Sequence, residues 1–169
     1  MIVAEHNIRS IIDTIPSIRI NDELTTKPNF HWGDDKELAR YLEIEADNAY
    51  PLIWLLPSQD EYEYFGKEVN KKCDFIIATR EANVNLLNDQ RFINSFDTVL
   101  NPLCDRLIHG LKVSTISDIE QDWKISKFPN YSKADKNGTI DLWDALKLTI
   151  NVKFTNTNNC LLKIDYGKL

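Results

Sequence analysis

Leu146-Lys147-Leu148-Thr149-Ile150-Asn151-Val152-Lys153-Phe154-Thr155 decides the fold, because five apolar residues alternate without a break with five polar ones. A helix would spread those five apolar side chains around its circumference, whereas a pleated strand sets them all on one face. The stretch therefore predicts a long half-buried β-strand whose apolar face needs a cover.

Working outward from this strand, the cover comes from two segments of helical period. Ile8, Ile11, Ile12 and Ile15 fall at i, i+3, i+4 and i+7, which predicts a helix from about Val3 to Pro16. Phe92, Phe96, Val99, Leu100, Leu103, Leu107 and Leu111 form a second and longer stripe. Pro102 lies within it and removes a backbone donor, so a bend is expected near Asn101.

The remaining strands follow from shorter patterns. Tyr50 to Pro57 is an apolar run bracketed by prolines, and residues 68–80 alternate through Val69, Cys73, Phe75, Ile77 and Thr79. These two predict an antiparallel pair joined across Ser58 to Lys67. Trp123, Ile125 and Phe128 mark a third strand, turned back into the long one through Asn137-Gly138. Ser17 to Ile20 reads as a short extended piece, Asn21 to Asn29 as a loop, and Asp34 or Asp35 as the cap of a short helix with Leu38, Tyr41 and Leu42 on its apolar side.

The expected architecture is an α+β domain with a four-stranded, mainly antiparallel sheet, covered by an N-terminal helix and a long kinked central helix. At 169 residues one domain accounts for residues 1–169, with a core over about 3–155 and a C-terminal tail at 156–169 that is left either to dock or to move.

Composition narrows the function. Hydrophobic residues at 43% and charged residues at 27% describe a globular chain, and a net charge of -6 with dispersed lysines disfavours general nucleic-acid binding. No apolar run reaches the ~20 residues of a membrane helix, and MIVAEHNIRS lacks the basic and apolar runs of an export signal, so no membrane and a cytoplasmic site of synthesis are expected. Cys73, Cys104 and Cys160 are far apart and predict reduced, mostly buried thiols; His6, His31 and His109 are equally scattered.

Enzyme-like features are sparse. Asp122-Trp123-Lys124 matches the acidic-x-lysine half of a metal-dependent nuclease site, for which Asp105 or Asp118 would have to supply a second carboxylate. Chance matches of three residues are frequent, so a solvated strand end is the preferred reading. Asp141 and Asp144 lack the further oxygen ligands and shaped loop of a calcium or magnesium site, and read as polar residues at a strand's entry. No phosphate loop or nucleophile elbow occurs. The expectation is a non-enzyme with no catalytic, cofactor-binding or metal residues.

The acidic and aromatic run Asp60, Glu61, Tyr62, Glu63, Tyr64 and Phe65 stands out, since large rings are unusual in a hairpin loop. Two readings weigh equally: the rings fold back on the core, or they anchor an interface.

Several phrases resemble neck and tail-completion proteins of tailed bacteriophages, including the tail-terminator-like group. They are Phe30-His31-Trp32-Gly33-Asp34, Tyr50-Pro51-Leu52-Ile53-Trp54-Leu55, Val99-Leu100-Asn101-Pro102-Leu103 through Leu107-Ile108, and Trp143 to Phe154, together spanning roughly Ile8 to Thr155. Abundant Asn, Lys and Ile also suits an AT-rich genome such as that of a phage of Bacteroides-like hosts. The resemblance implies a virion protein without catalytic residues, assembled in the bacterial host cytoplasm. Its place is a head-to-tail connector ring of six or twelve copies between portal, neck and tail proteins, with DNA passing through the lumen without specific binding. A nuclease using Asp122 and Lys124, and a monomeric module that inhibits a host protein, are the competing classes.

Overall fold

The computed structural model describes residues 3–20, 25–57, 63–65, 68–80, 85–129, 143–155 and 164–167. The long strand of the opening stretch is present as Trp143–Thr155, the last strand in sequence among the described residues and next to the edge in space. In chain order the elements are α1 (Ala4–Ile12), β1 (Ile18–Arg19), β2 (Thr25–Thr26), β3 (Asn29–Trp32), α2 (Asp35–Glu45) with a 3-10 turn at Ala46–Ala49, β4 (Leu52–Leu55), β5 (Glu63–Phe65) and β6 (Glu68–Arg80). A helical run follows, α-helical at α3 (Asn88–Arg91), π-wound over Phe92–Leu100 and α-helical again at α4 (Asn101–Val113), and then β7 (Ser117–Phe128) and β8 (Trp143–Thr155).

This is an α+β fold with a mixed sheet ordered β3-β4-β6-β8-β7, β5 pairing β6 beside β4, and a separate β1-β2 pair. The four expected strands are all present, and β8 lies between β6 and β7, antiparallel to both. The four-stranded count is corrected by β3 and β5. β3 joins the sheet parallel to β4, with Phe30 beside Ile53 and Trp32 beside Leu55. It needs no long alternating pattern because α2 carries the chain across from one parallel strand to the next.

Strict alternation on β6 and β8 sorts two buried layers. Val69, Cys73, Phe75 and Ile77 join Leu146, Leu148, Ile150, Val152 and Phe154 on one face, under Ile8, Ile11, Ile12 and Ile15 and under Phe96, Leu100, Leu103 and Leu107. On the opposite face Leu52, Trp54, Ile76, Ala78, Trp143 and Ala145 pack with Leu38 of α2 and with Tyr50. α2 begins as expected, with Asp34 Oδ1 accepting from the N–H groups of Lys36 at 3.0 Å and Glu37 at 2.9 Å. Gly33 just before it has φ +146°, and a Cβ there would come within 2.7 Å of Glu37 Cβ. Its carbonyl accepts from the Trp54 indole at 2.9 Å, which ties the β3 exit to β4.

At Pro102 the helical run continues as one stretch, as expected, with a local irregularity where the bend was expected. The backbone keeps right-handed helical dihedrals at Leu100 and Asn101, and the irregularity is a change of winding. The Asn101 N–H donates to the Phe96 carbonyl, five residues back, and Pro102 is the second residue of α4. A proline has no N–H to give, and it stands where five-residue bonding hands over to four-residue bonding. The wider π turn also aligns Phe92 and Phe96, whose rings stack at 4.6 Å.

The tail docks on its own chain over the described residues 164–167. Tyr166 is buried against the core, its hydroxyl 2.9 Å from Thr14 Oγ1, and the ring of His109 meets the Asp165 carbonyl at 2.7 Å. Gly110 makes room for it, since a Cβ there would sit 2.8 Å from Ile11 and 3.0 Å from the Tyr166 hydroxyl.

The face assignment has a direct check. Ile150→Ala is expected to cost about 2–5 kcal/mol, from lost transfer energy and a cavity under the helices. Thr149→Ala removes a half-buried hydroxyl bonded to Asp74 and is expected to cost about 1 kcal/mol. Urea melts of the two variants measure the difference.

Candidate functional site

Three of the six residues singled out by composition, Glu63, Tyr64 and Phe65, form β5. Glu63, Tyr64 and Phe65 pair antiparallel with Asn70, Val69 and Glu68, so this part of the run is a strand on the flank of β6 rather than the tip of a loop. That corrects the loop expected across Ser58 to Lys67. Asp60, Glu61 and Tyr62 lie outside the described residues, as do Asp141, Cys160 and the Asn137-Gly138 turn. β6 runs from Glu68 to Arg80 while β4 pairs only with Phe75 to Ala78, so β5 occupies the margin that β4 leaves uncovered.

The nuclease-like residues do not converge. Asp122 and Lys124 are exposed on β7, Asp118 is exposed on the same strand across an irregularity, and exposed Asp105 belongs to α4. Among the described residues no three His, Cys, Asp or Glu side chains are grouped to hold a metal ion. The three histidines are dispersed as well: His31 lies between Trp54, tilted at 5.3 Å, and Tyr41, edge-on at 5.0 Å, His109 meets the tail, and His6 approaches the edge of Trp32 at 6.3 Å.

The polar cluster that sequence reasoning missed is internal. Asp144 has the parity of Leu146 and Leu148 and so points under the helical run, where it is fully buried. Its Oδ1 accepts from Arg91 Nη1 at 3.2 Å and its Oδ2 from Ser95 Oγ at 2.6 Å. Arg91 is equally buried and also donates to the Leu86 carbonyl at 3.3 Å. A charged residue in phase with an apolar face was the available signal, since burial at that position requires a partner. A second buried cation, Lys71, is held by Glu5 of α1. These two pairs anchor the helical layer to β8 and β6, and each is a structural tie rather than an open site.

The open outer face of β6, β8 and β7 is polar. Asp74 accepts from Thr149 and faces Lys147 at 3.7 Å, Lys153 meets Glu68 at 2.7 Å, and Asn151 donates to Glu120 at 2.8 Å. Such half-exposed pairs add little stability but keep that face wet. Exposed apolar residues are scattered over other elements, with Ile44 of α2 at 69% and Val113 at the end of α4 at 47%. Trp123 and Ile125 on β7 retain 39% and 40% of their surface, while Leu87 and Ile93 at the start of the helical run retain 68% and 63%.

Two outcomes follow. Removing one side of the internal pair by Asp144→Ala takes a buried carboxylate from Arg91 and Ser95 and is expected to cost about 3–5 kcal/mol in denaturant melts, whereas Lys153→Ala on the surface costs about 1 kcal/mol or less. Burial pushes the Cys73 and Cys104 thiols up to about 12, far above neutral pH, so both remain neutral and unreactive. In a Cys160→Ser variant, thiol labelling at pH 8 is expected only after unfolding.

No helix of the described residues is long and apolar enough to cross a membrane. The chain matches no protein-family model, and no curated protein matches it in sequence.

Proposed function

We propose that this protein is a structural subunit of a homo-oligomeric ring in the neck of a tailed bacteriophage, joining the portal and head to the tail. The ring has six or twelve copies, and DNA passes through its lumen. The observation that carries the reading is the position of Glu63, Tyr64 and Phe65, the described part of the acidic and aromatic run, which join the sheet as β5 along its flank. There it can meet a neighbouring subunit side by side, the direction in which a ring repeats. The phrases that resemble neck proteins support the same reading, since they form β3, β4, the passage from π winding into α4, and β8, the elements on which both buried layers rest. The net charge of -6 suits a lumen that must release phosphate rather than hold it.

Aromatic anchors at such a contact contribute ~2 kcal/mol or more each. Tyr62→Ala, Tyr64→Ala and Phe65→Ala made together are therefore expected to leave the monomer's melting curve unchanged and to abolish entry into rings or particles. Native mass measurement and electron microscopy of the purified protein, alone and with neck components, read both effects. Normal ring formation by the triple variant would overturn the assignment of this contact. A single-chain mass of the unaltered protein in the presence of those components would overturn the ring.

A further inference from the structure

We propose that the free edge of β7 is a second interaction surface, which pairs two-fold and antiparallel with β7 of a second copy of this chain. Among the described residues β7 is paired on one side only, by β8. Its register jumps from Ile119 opposite Val152 to Trp123 opposite Ile150, which sets Glu120, Gln121 and Asp122 against Asn151 alone. A bulge of this kind leaves backbone groups without a partner in the sheet. Beyond it, Trp123 and Ile125 stand in register with Ile150 and Leu148, so they belong to the helix-covered face, yet they keep 39% and 40% of their surface in water. An open backbone edge beside a pair of half-exposed apolar residues suits another strand.

The order of charges identifies which strand. Asp118, Glu120 and Asp122 occupy the first half of β7, and Lys124 and Lys127 occupy the second. Antiparallel apposition of two copies about Trp123 makes one opposite-charge pair twice over, whereas Glu120 and Asp118 fall opposite uncharged residues and Lys127 lies over the Phe92 and Phe96 rings of its own chain. With the two-fold beside Trp123, Asp122 lies opposite the partner's Lys124 and Lys124 opposite the partner's Asp122, while Trp123 meets the partner's Trp123 on the helix-covered face. A two-fold axis normal to the sheet keeps both helical layers on the same side, so the sheets join without inverting their polar faces. Such a contact closes on itself and cannot propagate around a ring. It is separate from the β5 contact and stands whether or not the ring reading holds; where both persist, the copy number is even.

Two exposed single substitutions test it. Asp122→Lys sets lysine against lysine in a pair of like copies, and Lys124→Glu sets acid against acid. Each is expected to weaken self-association by about tenfold or more, with unchanged far-UV spectrum and melting curve. Mixing the two variants restores two opposite-charge contacts and is expected to return association to the level of the unaltered protein. Sedimentation over a concentration series, with each protein carrying a distinct mass tag, reads the like and mixed pairs. A single-chain mass for the unaltered protein throughout the series would overturn the proposal. So would undiminished association of either variant alone, or a mixture no tighter than its components. Because the substitutions leave β5 untouched, loss of the pair and loss of the ring are read separately.

Discussion

The antiparallel pairing of β6 with β8 governs everything else in this molecule. The pairing is continuous from Glu68 opposite Thr155 to Arg80 opposite Trp143, and a slip of one residue would carry every core side chain to the wrong face. With the register as it is, Phe75, Leu148, Ile150 and Phe154 meet the helices, and Asp74, Thr149 and Lys153 meet water or one another. The helical layer has no freedom to choose another face.

That layer is held by shape and by two buried ion pairs at different places on the sheet. Arg91 with Asp144 fixes the start of the helical run to β8, and Lys71 with Glu5 fixes α1 to β6. Neither pair is an inexpensive source of stability, because desolvating the charges offsets much of their attraction. Their effect is specificity of arrangement: a helix docked one turn out of place would leave a charge in an apolar core. The π winding between Phe92 and Leu100 fits the same demand, since it brings Ser95 to Asp144 and stacks Phe92 on Phe96 within one uninterrupted run.

Much of this was legible in residue order, and the remainder was hidden for identifiable reasons. β6, β8 and the two helical stripes announce themselves because one face of each is buried and the other is wet, so period and chemistry agree. β3 is four residues long with no clear alternation, and its parallel partner lies beyond a helix, so no local pattern reports the pairing. β5 is only three residues long, Glu63, Tyr64 and Phe65, too short to show a period, and the acidic residues around it give the charge density of a loop. Asp144 does stand at the entry of β8, but its parity with Leu146, which places it inside, is a signal that the strand-entry reading leaves unused. The handover of winding at Pro102 depends on backbone bonding that side-chain pattern does not encode. As for function, neither spacing nor geometry assembles a reacting centre among the described residues, so the functional reading rests on surfaces, which single-chain patterns specify only weakly.

The sheet order has a consequence for the chain during synthesis. β8 lies between β6 and β7 but follows both in sequence, so the two outer strands emerge with the gap between them unfilled. Before β8 arrives, the helices can close only on β3, β4 and β6, and the part of the core made by Leu146, Leu148, Ile150, Val152 and Phe154 is missing. Folding must then finish by inserting one long strand between two waiting edges, a step dominated by distant contacts and slow for a chain of this size. Until that insertion one edge of β6 and both edges of β7 stand open, and charged residues along them, such as Lys72, Asp74, Asp122 and Lys124, disfavour pairing with unrelated strands.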